Sequence, residues 1–188
     1  MSMKNIPLVL LVVSSVAAGA VAQDGSQLPR QRLLMDYGWM FTTGDPAGAE
    51  DPAFDDGGWR SLDLPHDWSI EGPYDQNAAT GGRGGYLPTG VGWYRRSFEL
   101  PSGARGRRVT VEFDGVYENS DVWVNGHHLG SRPYGYISFR YDLTPYLVDG
   151  ENVVAVRVDN SHQPNTRWYS GSGIYRHVWL TVTDPLHV

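Results

Sequence analysis

Val122-Trp123-Val124-Asn125-Gly126 is the stretch whose reading decides the fold. Val122 and Val124 alternate with Asp121 and Trp123, the period of two that sends one set of side chains to a core face and the other set to the opposite face. Asn125-Gly126 then supplies two residues that tolerate positive φ, the chemistry of a tight hairpin turn. The reading is strand, turn, strand, with Trp123 facing away from the side taken by its two valine neighbours.

The same alternation spreads outward. Val109, Val111 and Phe113 alternate with Thr110 and Glu112, and Arg96 to Leu100 forms another short run. Ile137, Phe139 and Tyr141 alternate with Ser138 and Arg140, and apolar runs follow at 153–158 and 178–182. Pro133-Tyr134-Gly135 and Asp149-Gly150 separate them as turn signals. Many short strands at spacings of roughly 8 to 12 residues, with almost no helical period, predict an all-β jelly-roll β-sandwich. The segment 33–92, rich in Gly, Pro, Asp and Trp, predicts a short strand or two joined by ordered loops.

The chain's 188 residues suit one domain. Its formal charge is −6, and Lys4 is the lone lysine, so a lysine-rich phosphate-tracking surface is missing and nucleic acid is not an expected partner. Arg105, Arg107 and Arg108, set among glycines, read as a solvated hairpin loop. With no cysteine, the domain is held by its core, without disulfides or thiolate metal sites.

Lys4, the apolar run Ile6–Val16 and the small residues ending in Ala20-Val21-Ala22 make a secretory signal peptide over 1–22. The run is too short for a membrane span, which needs about 20 apolar residues. Export to the periplasm or the extracellular space is expected, with no membrane contact after cleavage. Residues 23–32 read as a polar lead-in, 33–184 as the sandwich, and 185–188 as the start of a linker to a further domain.

No catalytic residue is assigned. Most acids sit in turn contexts such as Asp55-Asp56-Gly57-Gly58, where Asp bonds its own backbone. His66-Asp67 lacks a serine nucleophile in a recognisable elbow, so Leu64-Pro65-His66-Asp67-Trp68 reads as a corner fixed by side-chain bonds and a buried indole. His127 and His128 are strand neighbours pointing to opposite faces, so a shared metal is not expected, and no glycine-rich phosphate loop suggests a cofactor. The segment 159–176 does stand out. It mixes amide, hydroxyl and guanidinium donors with aromatic residues between two strands, a combination that suits a sugar's hydroxyls and ring carbons. Packing of Trp168 and Tyr175 onto the sandwich or a neighbouring domain explains those aromatics equally well.

At these residues the sequence resembles glycoside hydrolase family 2, in particular the amino-terminal, sugar-binding jelly roll of its β-galactosidase-like members. The matching pieces are Leu64–Trp68, Gly92-Trp93-Tyr94-Arg95-Arg96, the Val122–Gly126 hairpin, Val156–Asn160, and Arg167-Trp168-Tyr169 through Gly173-Ile174-Tyr175-Arg176, five in family order. The resemblance implies that an immunoglobulin-like domain and a TIM barrel follow, that the barrel carries both catalytic glutamates, and that hydrolysis is retaining. It also implies that this domain reaches the rim of the barrel's site. A substrate-rim role falls on Arg167, with Asp159 and Asn160 as neighbours, and the partner there is carbohydrate. Leu87 before Pro88-Thr89-Gly90, and Arg167 before Trp168, depart from one β-galactosidase branch, which leaves the sugar open. A free-standing carbohydrate-binding module and a purely structural domain are the alternatives.

Overall fold

A computed structural model of the chain describes residues 30–186. The signal peptide, most of the lead-in and the last two residues of the linker segment lie outside the described residues. Ten strands run through the rest: β1 Arg30–Leu34, β2 Trp39–Thr43, β3 Arg60–Leu62, β4 Val91–Glu99, β5 Arg108–Phe113, β6 Ser120–Val124, β7 His127–Arg132, β8 Phe139–Asp142, β9 Glu151–Asp159 and β10 Val178–Thr183. They form two antiparallel sheets, one ordered β1-β10-β5-β8 and the other β3-β2-β4-β9-β6-β7. The only helical elements among the described residues are single 3₁₀ turns. The protein is thus an all-β jelly-roll sandwich.

Alternation explains why the sheets face each other as they do. Val122 and Val124 of β6, Val154, Val156 and Val158 of β9, and Val109, Val111 and Phe113 of β5 all point inward and are buried. Each such side chain is worth about 1.5–3 kcal/mol when removed from water, so the two apolar faces dominate the drive to close. Asn125 and Gly126 take φ of 49° and 79°, and Val124 pairs directly with His127. The two-residue hairpin is as expected. Trp123 points to the outer face, where it stacks on Trp93 with ring centres 5.2 Å apart. His127 stacks on Tyr146 and His128 lies against Trp123, so the two histidines do face apart.

Four local expectations change, the first being that the run read at Arg96 to Leu100 belongs to the longer strand β4, which begins at Val91 and ends at Glu99. β1 begins at Arg30, inside the segment read as lead-in; it is an edge strand with four of its five residues exposed, so no apolar alternation marks it, and Arg30–Leu34 is laid along β10. Ile137 lies before β8 and is exposed, so that strand starts two residues later than the pattern suggested. Arg107 is buried rather than solvated, its Nε 3.2 Å from an Asp184 carboxylate oxygen, while Arg108 is the first residue of β5.

The outer face of the six-stranded sheet is covered by the loop between β2 and β3. Ala49, Phe54 and Trp59 pack there with Trp93, Trp123 and Ala155. This loop has almost no regular structure, and the buried Arg95 of β4 organises it. Arg95 Nε donates to Asp56 at 2.8 Å, and its terminal nitrogens donate to the carbonyls of Ala49, Asp51, Pro52 and Phe54. A planar five-donor fork can serve that many acceptors and an ammonium cannot. Arg95→Lys and Arg95→Ala are both expected to lose about 3 kcal/mol of stability, the cost of orphaning a buried charged network. Limited proteolysis should then cut first within residues 44–59; equal protease resistance and an unchanged melting midpoint would show that the fork is not what holds the loop.

Candidate functional site

The residues singled out at 159–176 leave β9 and run to β10, and they meet the Leu64–Glu71 corner. Asp67 is the joint between the two segments. Its Oδ1 accepts from the backbone N–H of Ser69 at 3.0 Å and of Ser172 at 2.8 Å, and its Oδ2 accepts from the Tyr169 hydroxyl. Gly171 sits at φ 73°, and a Cβ there would lie 2.4 Å from Asp67 Oδ2. Gly173, at φ 128°, would put a Cβ 2.3 Å from the Tyr94 hydroxyl. Both glycines of Gly171-Ser172-Gly173 are therefore required by backbone conformation and by the closeness of the corner.

His66 has the structural role expected of it. Its Nδ1 bonds the Tyr94 hydroxyl at 2.7 Å, and Arg60 donates to its Nε2 at 2.7 Å while also donating to Glu71 at 2.6 Å. Burial beside Phe41 and Tyr94 pulls its pKa below the usual histidine value, against the raising pull of Glu71. Burial likewise pushes the Tyr169 hydroxyl above the usual tyrosine value, helped by its bond to Asp67.

The three predicted rim residues fall into different environments. Asn160 is buried, and its amide is saturated: Nδ2 donates to the Gly171 carbonyl at 2.9 Å and Ser172 Oγ at 2.7 Å, and Oδ1 accepts from Gln163 at 2.8 Å and Asn165 at 2.7 Å. No donor or acceptor of that side chain is left for a ligand, so it shapes the loop instead. Asp159 is bound by Ser161 and by Arg157, at 3.3 Å; burial alone would raise its pKa, yet these partners outweigh burial and hold the carboxyl low. Arg167 is exposed at the loop's crest and makes no hydrogen bond or ion pair among the described residues.

Asn165 and Trp168, on either side of Arg167 in the chain, reach groups that no sequence pattern had brought together. Glu118 accepts from Asn165 Nδ2 at 2.6 Å, and its pKa is raised by burial against that bond. The Trp168 indole donates to the Tyr136 hydroxyl at 3.2 Å, and Tyr136 packs edge-on to both Tyr117 and Tyr134. Trp168 is 61% exposed and Tyr134 58%. The Pro133–Ser138 turn and the long loop thus share one aromatic shelf, a contact between segments some thirty residues apart that no local spacing announces. The cavity beneath, between Thr80, Pro88 and Asn165, holds only about 20 Å³. That is room for one water, whereas small-molecule pockets run to roughly 300–1,000 Å³. The amides and hydroxyls of the loop are largely bonded to one another, and it exposes the guanidinium groups of Arg167 and Arg176, the His162 imidazole and several aromatic faces.

A family model described as "Glycosyl hydrolases family 2, sugar binding domain" matches residues 84–184. The chain belongs to that family. It is 56% identical over 171 residues to a protein named "Beta-galactosidase BoGH2A" from Bacteroides ovatus, which covers 90% of this chain and 20% of that protein. It is 35% identical over 165 residues to a "Beta-glucuronidase" from Formosa agariphila, covering 80% and 17% respectively. Among solved structures, a β-glycosidase from Bacteroides vulgatus superposes with a TM-score of 0.81 at 51% identity, over 82% of this chain and 20% of that one. The chain spans about a fifth of the length of these relatives and corresponds to the amino-terminal domain of family 2 glycosidases.

The network around Asp67 makes two expectations measurable. Asp67→Ala orphans two backbone donors and one hydroxyl, costing about 3 kcal/mol and, for a domain of this size, roughly 10 °C in melting midpoint. Asp67→Asn keeps the Oδ1 acceptor and should lose less; equal midpoints for both variants would count against the joint. His66 is held neutral, with a folded pKa below its unfolded one. Its contribution to stability is therefore complete above the unfolded value of about 6.5 and is lost as pH falls towards the folded value. The drop in melting midpoint between pH 7.5 and pH 5.5 should shrink in His66→Gln; identical pH profiles would show that His66 does not set it.

Proposed function

We propose that this family 2 domain belongs to an exported glycosidase acting on β-galactosides or related β-glycosides, and that its 161–176 loop borders the active site of that enzyme. The observation that carries this reading is Arg167. Arg167, exposed and without a hydrogen bond or ion pair among the described residues, carries a guanidinium suited to a bidentate contact with sugar hydroxyls or a carboxylate. The names of the relatives, β-galactosidase and β-glucuronidase, span both possibilities. Lys4, the apolar run after it and Ala20-Val21-Ala22 support export.

The acid and nucleophile of a retaining hydrolase would lie in a TIM barrel beyond these residues, reached through an immunoglobulin-like domain. The aromatic shelf would then be covered by those neighbours. A rim of exposed guanidinium groups and aromatic faces around a cavity of only about 20 Å³ offers too few contacts to offset the loss of ligand translation and rotation, on the order of several kcal/mol. The purified chain is accordingly expected to hydrolyse no chromogenic β-galactoside or β-glucuronide. Its affinity for galactose, glucose or glucuronate by NMR titration should be no tighter than about millimolar, near −4 kcal/mol. Light scattering should show self-association through the exposed aromatics. Saturable micromolar binding by a clean monomer would instead establish a free-standing binding module.

A further inference from the structure

The two sheets differ in what covers their outer faces. The six-stranded sheet lies under the Arg95-anchored loop, with Ala49, Phe54 and Trp59 against it. Among the described residues no loop covers the outer face of the four-stranded sheet, and its strand register sets out its side chains in rows. Arg30, Thr183 and Arg108 form one row; Arg32, Thr181, Thr110 and Asp142 the next; Leu34, Trp179, Glu112 and Arg140 the third. Rows are about 6.7 Å apart along the strands and columns about 4.8 Å apart across them.

This layout makes a trough. Its floor is the short hydroxyl side chains of Thr110, Thr181 and Thr183, and long charged side chains stand around it. Four of those are arginines and two, Glu112 and Asp142, are acids, so positive charge is in excess on this face although the chain as a whole carries −6. The pairing inside the trough is loose: Arg32 is 3.4 Å from Glu112, and Arg108 3.0 Å from Asp142, all with their side chains at least 30% exposed. Arg140 sits opposite Glu112 and makes no ion pair among the described residues. At one end Arg32 Cζ lies 3.9 Å from the centre of the Trp179 ring, a cation–π contact that helps to hold the guanidinium in place.

We propose that this trough binds an acidic glycan, a chain of uronate residues lying across the four strands. Arginine forks pair with carboxylates bidentately, threonine hydroxyls bond sugar hydroxyls, and no aliphatic floor is present to favour an apolar partner. The site shares no residue with the 161–176 loop and does not depend on the reading of that loop. Exposed pairs of this kind are individually weak and salt-sensitive, so binding should grow with the number of uronates spanned and fade with ionic strength.

The test titrates the whole chain with an unesterified polygalacturonate of defined length, followed by tryptophan fluorescence, which reports on Trp179 beneath Arg32. Saturable binding at low salt is expected. It should weaken at least tenfold in about 0.5 M NaCl, where the Debye length falls to some 4 Å. It should also weaken at least tenfold with the neutral methyl ester of the same polymer and in the Arg32→Gln/Arg140→Gln double variant. A double Arg→Lys variant keeps the charges and should retain part of the affinity, which separates loss of charge from loss of fold. No saturation, equal binding of the methyl ester, undiminished binding by the Gln variant, or equally tight binding of duplex DNA would each overturn the proposal.

Discussion

One carboxylate fixes the geometry of the end of the sandwich that carries the long loop. Asp67 receives two backbone N–H groups and a hydroxyl from segments a hundred residues apart in sequence, and in doing so seats the 169–173 stretch against the Leu64–Glu71 corner. Charged acceptors strengthen such bonds to roughly twice a neutral one, so a single side chain can replace the missing ladder of a strand. The glycines at 171 and 173 follow from it, since the approach of carboxylate and Tyr94 hydroxyl leaves no space for a Cβ. Asn160 extends the same bonding on the other side through Ser172, and the loop between is held at both ends.

Arg95 solves the equivalent problem with the opposite charge. The 44–59 loop must cover a sheet face without pairing as a strand, so its carbonyls need donors, and one buried guanidinium supplies them. In both places the apolar contacts provide most of the free energy, while the polar group selects one arrangement of a segment that has many. This division explains why the interior holds Arg95, His66 and Asn160 among its valines. Each is nearly or fully bonded, which is the condition under which burying a polar group is tolerated.

The strands with a clear period of two were legible from the sequence. β5, β6 and β9 each send alternate residues into one core, and Asn125-Gly126 folds as its residue types demand. β1 was not legible, because Arg30-Gln31-Arg32-Leu33-Leu34 has no alternation and its place is set by β10. The long loop was recognisable as unusual by composition, but not the division of labour inside it. Asn160 and Arg167 look alike as polar loop residues, and only the fold reveals that the first is enclosed by Gln163, Asn165, Gly171 and Ser172 while the second is left facing solvent. Arg107 shows the same limit, since burial beside Asp184 depends on the last strand returning next to the first turn of β5.

The same economy of anchors separates surfaces that are finished from surfaces that are not. Where the 44–59 loop lies, Trp93 stacks on Trp123 and the donors of Arg95 are taken up by Asp56 and the loop's carbonyls. At the 161–176 crest Arg167, and on the four-stranded sheet Arg140, make no ion pair among the described residues, while Arg32 and Arg108 are held by partly exposed acids. Holding an arginine in place while leaving its donors open costs stability that neither site recovers within the domain, because an exposed charge gains little from its surroundings. A surface that sets four arginines around three threonine hydroxyls, on a chain whose formal charge is −6, is the arrangement on which the proposed contact with an acidic glycan rests.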